Sequence, residues 1–267
     1  MKRLFFTAII FSFFCACETS RNTETTTDTT TVEEINTATP EAITVEPMSE
    51  SPDFPDAMLR LNAPAESANL QPGVQDFKYD ITNYQLTAQT ADADMKQCAN
   101  SDKGQHIHFI LNNEPYDALY EPNHQKELAE GNHVVLSFLS RSYHESLKHP
   151  DAYVLRQFTV GKGNAQKADL NAPHMFYSRP KGEYKGADTE NIMLDFYLVN
   201  TELSANGNKV RATVNGESFM LDNWQPYIIN GMPMGENTIK LELVDNSGNV
   251  IPGPFNTVER IVTLVEG

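Results

Sequence analysis

The chain is poor in cysteine, with 3 in 267 residues, and it has a single tryptophan. So few cysteines exclude a disulfide scaffold. Basic side chains are scarce as well: 20 Lys and Arg stand against 36 Asp and Glu, for a formal net charge of −16. A general nucleic-acid binder needs a basic footprint to meet phosphate, so nucleic acid is excluded as a partner. Long helical periodicity is missing, and so are a G-x-S-x-G elbow, a phosphate loop and a dinucleotide fingerprint. Tyr143-His-Glu-Ser-Leu-Lys-His149 holds two histidines five apart. On a helix they would stand roughly 140° from each other, whereas a zincin pair sits four apart on one face. No catalytic residue is expected, and the chain reads as a non-enzyme.

What is present begins with MKRLFFTAIIFSFFCAC. Lys2 and Arg3 precede an apolar run from Leu4 to Phe14. Eleven residues at about 1.5 Å each cannot cross a core of about 30 Å, so residues 1–17 read as a signal peptide. Ala16-Cys17 directly after that run resembles the cleavage and lipidation box of bacterial lipoproteins, with Phe14 where Leu is usual, and Cys17 is the residue expected to carry lipid. The Thr- and Glu-rich stretch that follows has no aromatic residue and one cation, Arg21. It cannot bury enough apolar surface to offset its ordering entropy, so 18–50 is expected to be a disordered tether. Cys98 is then the one thiol left, read as a small buried hydrophobe.

From about Ser51 the composition turns to short β-rich runs broken by Gly, Pro, Asn and Asp. His106-Ile-His-Phe-Ile-Leu, Val134-Val-Leu-Ser-Phe-Leu, Met193-Leu-Asp-Phe-Tyr-Leu-Val and Thr238-Ile-Lys-Leu-Glu-Leu-Val show the period of two expected of antiparallel strands with one face in a core. The two halves also align. Asn83-Tyr-Gln-Leu86 matches Asn200-Thr-Glu-Leu203, and Ile110-Leu-Asn-Asn-Glu114 matches Thr213-Val-Asn-Gly-Glu217. Tyr120-Glu-Pro122 matches Trp224-Gln-Pro226, and Asn132-His-Val-Val-Leu136 matches Asn237-Thr-Ile-Lys-Leu241. The expected fold is all-β: two tandem immunoglobulin-like antiparallel β-sandwiches over residues 51–165 and 170–267.

Three constellations bear on chemistry. His106 and His108 lie i, i+2 on a strand, so both imidazoles share a face and with His144 can hold Zn²⁺ or Cu²⁺. The repeat sets Lys209 opposite His106 and Arg211 opposite His108, which instead puts both histidines on a solvated outer face. Arg141 with His144, and Arg179 with Lys181, form a basic pair of loops near the junction suited to a carboxylate or phosphate. Their plainer role is to bridge the halves or to pair with nearby acids. Trp224 and Tyr120 suit sugar stacking, or the corner of each sandwich.

Taken together, the tether and the runs SPDFPDA, GQHIHFILNNEPY, FLSRSYHES, FYSRPKGEY, DFYLVN and ENTIKLELVDNSGN resemble a group of envelope lipoproteins from Bacteroidetes-type bacteria. The resemblance covers Ser51 to Leu264. Some members carry the label phosphopeptide-binding protein; no functional-residue motif comes with the group, so the resemblance implies no site residue. The expectation is a non-catalytic binding or structural module, lipid-anchored in the cell envelope at the outer membrane. Its ligand would be a phosphopeptide, protein or small anion at the domain junction, with metal binding as the alternative and no cofactor in the leading case.

Overall fold

Asn112-Asn113 and Asn215-Gly216 take positive φ angles of 53° and 62°, and of 49° and 91°. Such left-handed pairs close the tightest reversals, and Asn and Gly are the residues that tolerate them. They sit at equivalent places in two successive sets of strands. The computed structural model describes residues 42–66, 68–162 and 167–267. Cys17, the signal peptide and most of the expected tether lie outside the described residues.

The first set comprises β2 (Met58–Ala63), β3 (Gly73–Thr82), β4 (His106–Leu111), β5 (Asp117–Leu119), β6 (Asn123–Leu128), β7 (Gly131–Ser140) and β8 (Tyr153–Val160). They form one sheet in the order β2-β3-β6 and a second in the order β5-β4-β7-β8. Between them lies a core that includes Leu59, Phe77, Ile107, Phe109, Val135, Leu139 and Phe158. The second set is β9 (His174–Arg179), β10 (Gly182–Lys185), β11 (Ile192–Val199), β12 (Lys209–Val214), β13 (Glu217–Leu221), β14 (Tyr227–Asn230), β15 (Gly235–Val244) and β16 (Thr257–Val265). Here the sheets run β14-β11-β9 and β10-β16-β15-β12-β13, over a core that includes Tyr177, Leu194, Phe196, Ala212, Leu241 and Val262. Among the described residues the named strands pair antiparallel, save for β10 beside β16. The chain is an all-β protein built of antiparallel β-sandwiches.

Two expectations are corrected by this pairing. The tether does not extend to residue 50. Thr44–Pro47 forms β1, which pairs with β14 of the second set from Thr44↔Asn230 to Pro47↔Tyr227. Ile43 and Val45 pack on the second core, and the Lys96 ammonium holds Ser49 and Glu50 by their carbonyls. Apolar residues spaced two apart supply what the Thr-rich stretch before them lacks. The aligned register of the halves is also one residue out along β7 and β15. Ladder partners equate Val135 with Ile239 and Leu136 with Lys240, and a slip of one residue exchanges the two faces of a strand.

The two sandwiches are packed against each other. Ile110, Val134, Leu136 and Phe138 on the outer face of the β4 sheet meet Phe176, Tyr197, Val199 and Phe255 of the second set. Phe138 stacks on Tyr197 with ring centres 4.7 Å apart. Residues of β4, β7, β9 and β11 are therefore buried on both faces, one in a sandwich core and the other in the junction. At about 25 cal/mol per Å² of apolar surface removed from water, this third core stabilises the union of the two halves in the same way as the first two stabilise each sandwich. Where the first expected domain gives way to the second, residues 163–166 lie outside the described residues, while Ala168 and Leu170 pack on the junction core.

Candidate functional site

The strand period and one turn together assemble three imidazoles. On β4, Ile107 and Phe109 enter the first core, so His106 and His108 project from the opposite face, towards the second sandwich. Both are fully buried, at 0% exposure. The solvated outer face expected for them is thus corrected: the sheet of β9 and β11 covers it. The third imidazole comes from the turn after β7. Arg141 accepts from the His144 amide at 2.9 Å and donates its own amide to the Glu145 carbonyl at 2.9 Å. His144 adopts φ +73°, a left-handed conformation that costs a non-glycine residue about 1 kcal/mol. The turn is buried, with His144 8% and Glu145 6% exposed.

The donor atoms converge. His106 Nε2 lies 3.0 Å from His108 Nε2 and 3.0 Å from His144 Nδ1. All three fall within 4.8 Å of one another, and no carboxylate or thiol joins them among the described residues. The remaining ring nitrogens are held from behind. His106 Nδ1 donates to the Gly104 carbonyl at 2.8 Å, which fixes Nε2 as the bare nitrogen of the neutral ring. His108 Nδ1 lies 3.1 Å from the Ser178 hydroxyl of β9. A metal-ligating histidine is oriented in this way, with its second nitrogen on a carbonyl or hydroxyl.

Tyr116, from the loop between β4 and β5, forms the next layer. Its ring stacks on His108 with centres 3.5 Å apart and planes 8° apart. Its hydroxyl lies 3.1 Å from His144 Nδ1 and accepts from Arg179 Nε at 2.9 Å. Arg179 also donates to the Tyr184 hydroxyl at 2.6 Å. The Lys181 ammonium donates to the Tyr116 carbonyl at 2.6 Å and sits 3.8 Å from the centre of its ring. A third cation, Arg260, donates to the carbonyls of Asn113, Tyr177 and Ser178. None of Arg179, Lys181 and Arg260 has a carboxylate in an ion pair among the described residues.

Burial and these neighbours set the protonation states. Desolvation holds His106 down to about 4, with the cations Arg179 and Lys181 acting in the same direction. Desolvation pushes His108 and His144 well below the usual histidine range too, reinforced by the neighbouring imidazoles, Arg179 and Lys181. Burial, then the Arg179 charge, brings Lys181 down to about 8. Burial raises the Tyr116 hydroxyl, opposed by Arg179. At neutral pH the three imidazoles are therefore uncharged, the state in which they bind metal.

Of the residues singled out in the sequence, His106, His108, His144, Arg179 and Lys181 meet in one place. Arg141 does not join them: it pairs with Glu145 at 3.2 Å and lies over the Phe54 ring. Tyr120 lies against His106 with ring centres 5.0 Å apart, and Trp224 donates to the Phe196 carbonyl at 2.9 Å. Cys98 is buried beside Tyr143 and Met193, with its thiol pushed up to about 11 by desolvation. Tyr116, Ser178, Tyr184 and Arg260 were not foreseen. One sequence signal for the covered face did exist: Val134-Val-Leu-Ser-Phe-Leu139 is apolar at both alternations, as a strand buried on two sides must be.

No protein-family model matches the chain, and no curated protein matches it. Among solved structures it is similar to the fibronectin(III)-like modules of Clostridium thermocellum CbhA, at 12% identity over 78% of this chain and 95% of that one, with a TM-score of 0.28. It is also similar to the two tandem V-type regions of a v-region-containing chitin binding protein, at 7% identity, 78% and 99% coverage and a TM-score of 0.22. A third is SGBP-B of the Bacteroides ovatus mixed-linkage glucan utilization locus, solved with a mixed-linkage heptasaccharide. There the identity is 9%, the coverage 78% of this chain and 47% of that one, and the TM-score 0.22. Among the described residues no helix is long and apolar enough to cross a membrane.

Proposed function

We propose that the chain is a non-catalytic envelope lipoprotein, anchored through Cys17, that binds one Zn²⁺ or Cu²⁺ ion through His106 Nε2, His108 Nε2 and His144 Nδ1. One observation carries the proposal: three imidazole nitrogens converge, and every neutral arrangement of their protons either orphans the Tyr116 hydroxyl or leaves two acceptor nitrogens in contact. A neutral imidazole has one donor and one acceptor nitrogen. His106 Nε2 must accept, because Nδ1 donates to Gly104, yet two nitrogens face its single lone pair at 3.0 Å. If His144 Nδ1 also donates to it, the Tyr116 hydroxyl proton loses its partner. If His144 Nδ1 accepts that proton while His108 Nε2 donates to His106, two acceptor nitrogens stand 3.0 Å apart with no hydrogen between them. A metal ion takes all three lone pairs at once, and three imidazoles are an established donor set for zinc.

A second reading, recognition of an anionic peptide at the same junction, is favoured by the buried cations without acid partners. It ranks below the first because Arg179 and Arg260 already spend donors on phenols and carbonyls, and Arg141 is committed to Glu145.

The test is equilibrium dialysis of the purified protein against Zn²⁺ and Cu²⁺, with thermal unfolding in parallel. One ion per chain is expected. At about a hundred times its dissociation constant the ion adds roughly 2.7 kcal/mol, a rise of several degrees in Tm. His108→Gln, which keeps a polar side chain of similar reach, should lower the affinity at least tenfold, the cost of losing one ligand of three. Equal uptake by that variant, or none by the wild type, would discard the metal site.

A further inference from the structure

Building on the three-histidine metal reading, we propose that the ion's fourth position is held by a small monoanion, hydroxide or a halide, to which Tyr116 donates its phenolic proton and whose charge offsets Arg179 and Lys181. The charge of the site calls for an anion. Three neutral imidazoles bring none, and the flanking Arg179 and Lys181 are both cations with no ion-pair partner among the described residues. Arg179 is 8% exposed, in a chain where acids outnumber bases by 36 to 20. Buried charges are ordinarily paired, and a divalent ion would add two more of the same sign in a medium that screens poorly. An anion on the metal relieves both.

The Tyr116 proton calls for one as well. Its oxygen accepts from Arg179 Nε, and once the His144 Nδ1 lone pair is on the metal, the phenolic hydrogen has to find another acceptor. The ligand beside His144 on the ion is the one within reach. Tyr116 cannot fill that position itself. A metal on His108 Nε2 lies in the imidazole plane, and the stacked phenol ring lies 3.5 Å away, near parallel to that plane. A zinc–oxygen bond needs about 2.0–2.2 Å, so the phenol stays a hydrogen-bond donor. No acidic side chain joins the three nitrogens among the described residues, which leaves solvent as the source. The 0% exposure of His106 and His108 limits the ligand to a small one.

The test loads the purified protein with Co²⁺, whose visible bands report the fourth ligand, in chloride-free buffer, and titrates it with chloride and then azide. Saturable band shifts are expected with azide. Bands unchanged by chloride assign hydroxide as the resident ligand, and bands that develop only with chloride assign the halide. Tyr116→Phe, which preserves the stacked ring, should weaken azide by about tenfold or more, the worth of a hydrogen bond to a charged group, and by more than it weakens Co²⁺. Lys181→Met should weaken azide yet tighten Co²⁺ in anion-free buffer, because it removes a like charge. Lys209→Met, on the equivalent strand of the second sandwich, should change neither. Bands unmoved by both anions, or variants that bind azide as the wild type does, overturn the anion while leaving the metal site standing. Absence of Co²⁺ uptake would overturn the metal site instead.

Discussion

Strands β4 and β12 hold the same place in their sandwiches and yet meet opposite surroundings. Each lies next to the edge strand of its sheet, and each ends in a left-handed turn at an Asn pair or Asn-Gly. Each sends alternate residues into its own core. The other face of β12 presents Lys209, Arg211 and Thr213 to solvent, with Arg211 paired to Glu242 at 2.8 Å. The other face of β4 presents His106, His108 and Ile110 to the second sandwich. The neighbouring strands agree: at equivalent positions β7 carries Leu136 and Phe138, and β15 carries Lys240 and Glu242. One sandwich packs its outer face on the next, whose own equivalent face is polar and reaches solvent. The difference between equivalent strands is therefore set by stacking of the copies, and the candidate site exists only where a copy is covered.

Exchanging the outer residues should break the comparison most severely. His106→Lys with His108→Arg would place β12-type charges in the junction without partners, and each uncompensated buried charge costs about 3–5 kcal/mol. Loss of soluble folded protein is expected, whereas Lys209→His with Arg211→His should shift stability by about 1 kcal/mol or less. Similar tolerance at both strands, measured by urea unfolding, would refute the covered face. Next in size, Leu136→Ala should cost about 2–5 kcal/mol, while its counterpart Lys240→Ala should stay within about 0.5.

Acid should then sharpen the contrast in the metal-free protein. His106 is held to about 4 in the fold, below its ordinary value of about 6.5. Between those values the unfolded chain binds a proton that the folded one refuses, so stability is full above about 6.5 and falls as the pH drops towards 4. His106 alone accounts for about 3 kcal/mol, with His108 and His144 adding in the same direction. The β12 cations keep their charge across that window. A flat chemical-denaturation midpoint from pH 7 to pH 4 would show that the imidazoles are not desolvated.

Much of this was legible in the sequence. Period-two runs gave the strands, Asn112-Asn113 and Asn215-Gly216 marked equivalent turns, and the i, i+2 spacing put His106 and His108 on one face. What stayed hidden depends on contacts between distant segments. A strand's own pattern tells inside from outside within one sandwich, and it cannot say that the outside will be covered by another. The aligned cations of β12 therefore pointed the histidines at solvent. His144 reaches the cluster through a single left-handed residue, and Tyr116 through a loop, neither of which carries a periodic signal. The β1 strand was lost among threonines because four residues are too few to show a period.

X-ray absorption at the metal edge of the Zn²⁺- or Cu²⁺-loaded protein counts the imidazoles on the ion and so tests the three-histidine site at its ligands. Three imidazoles at about 2.0–2.1 Å and one further light or halide ligand are expected. A shell with fewer than three imidazoles, or one made only of oxygen, would contradict it.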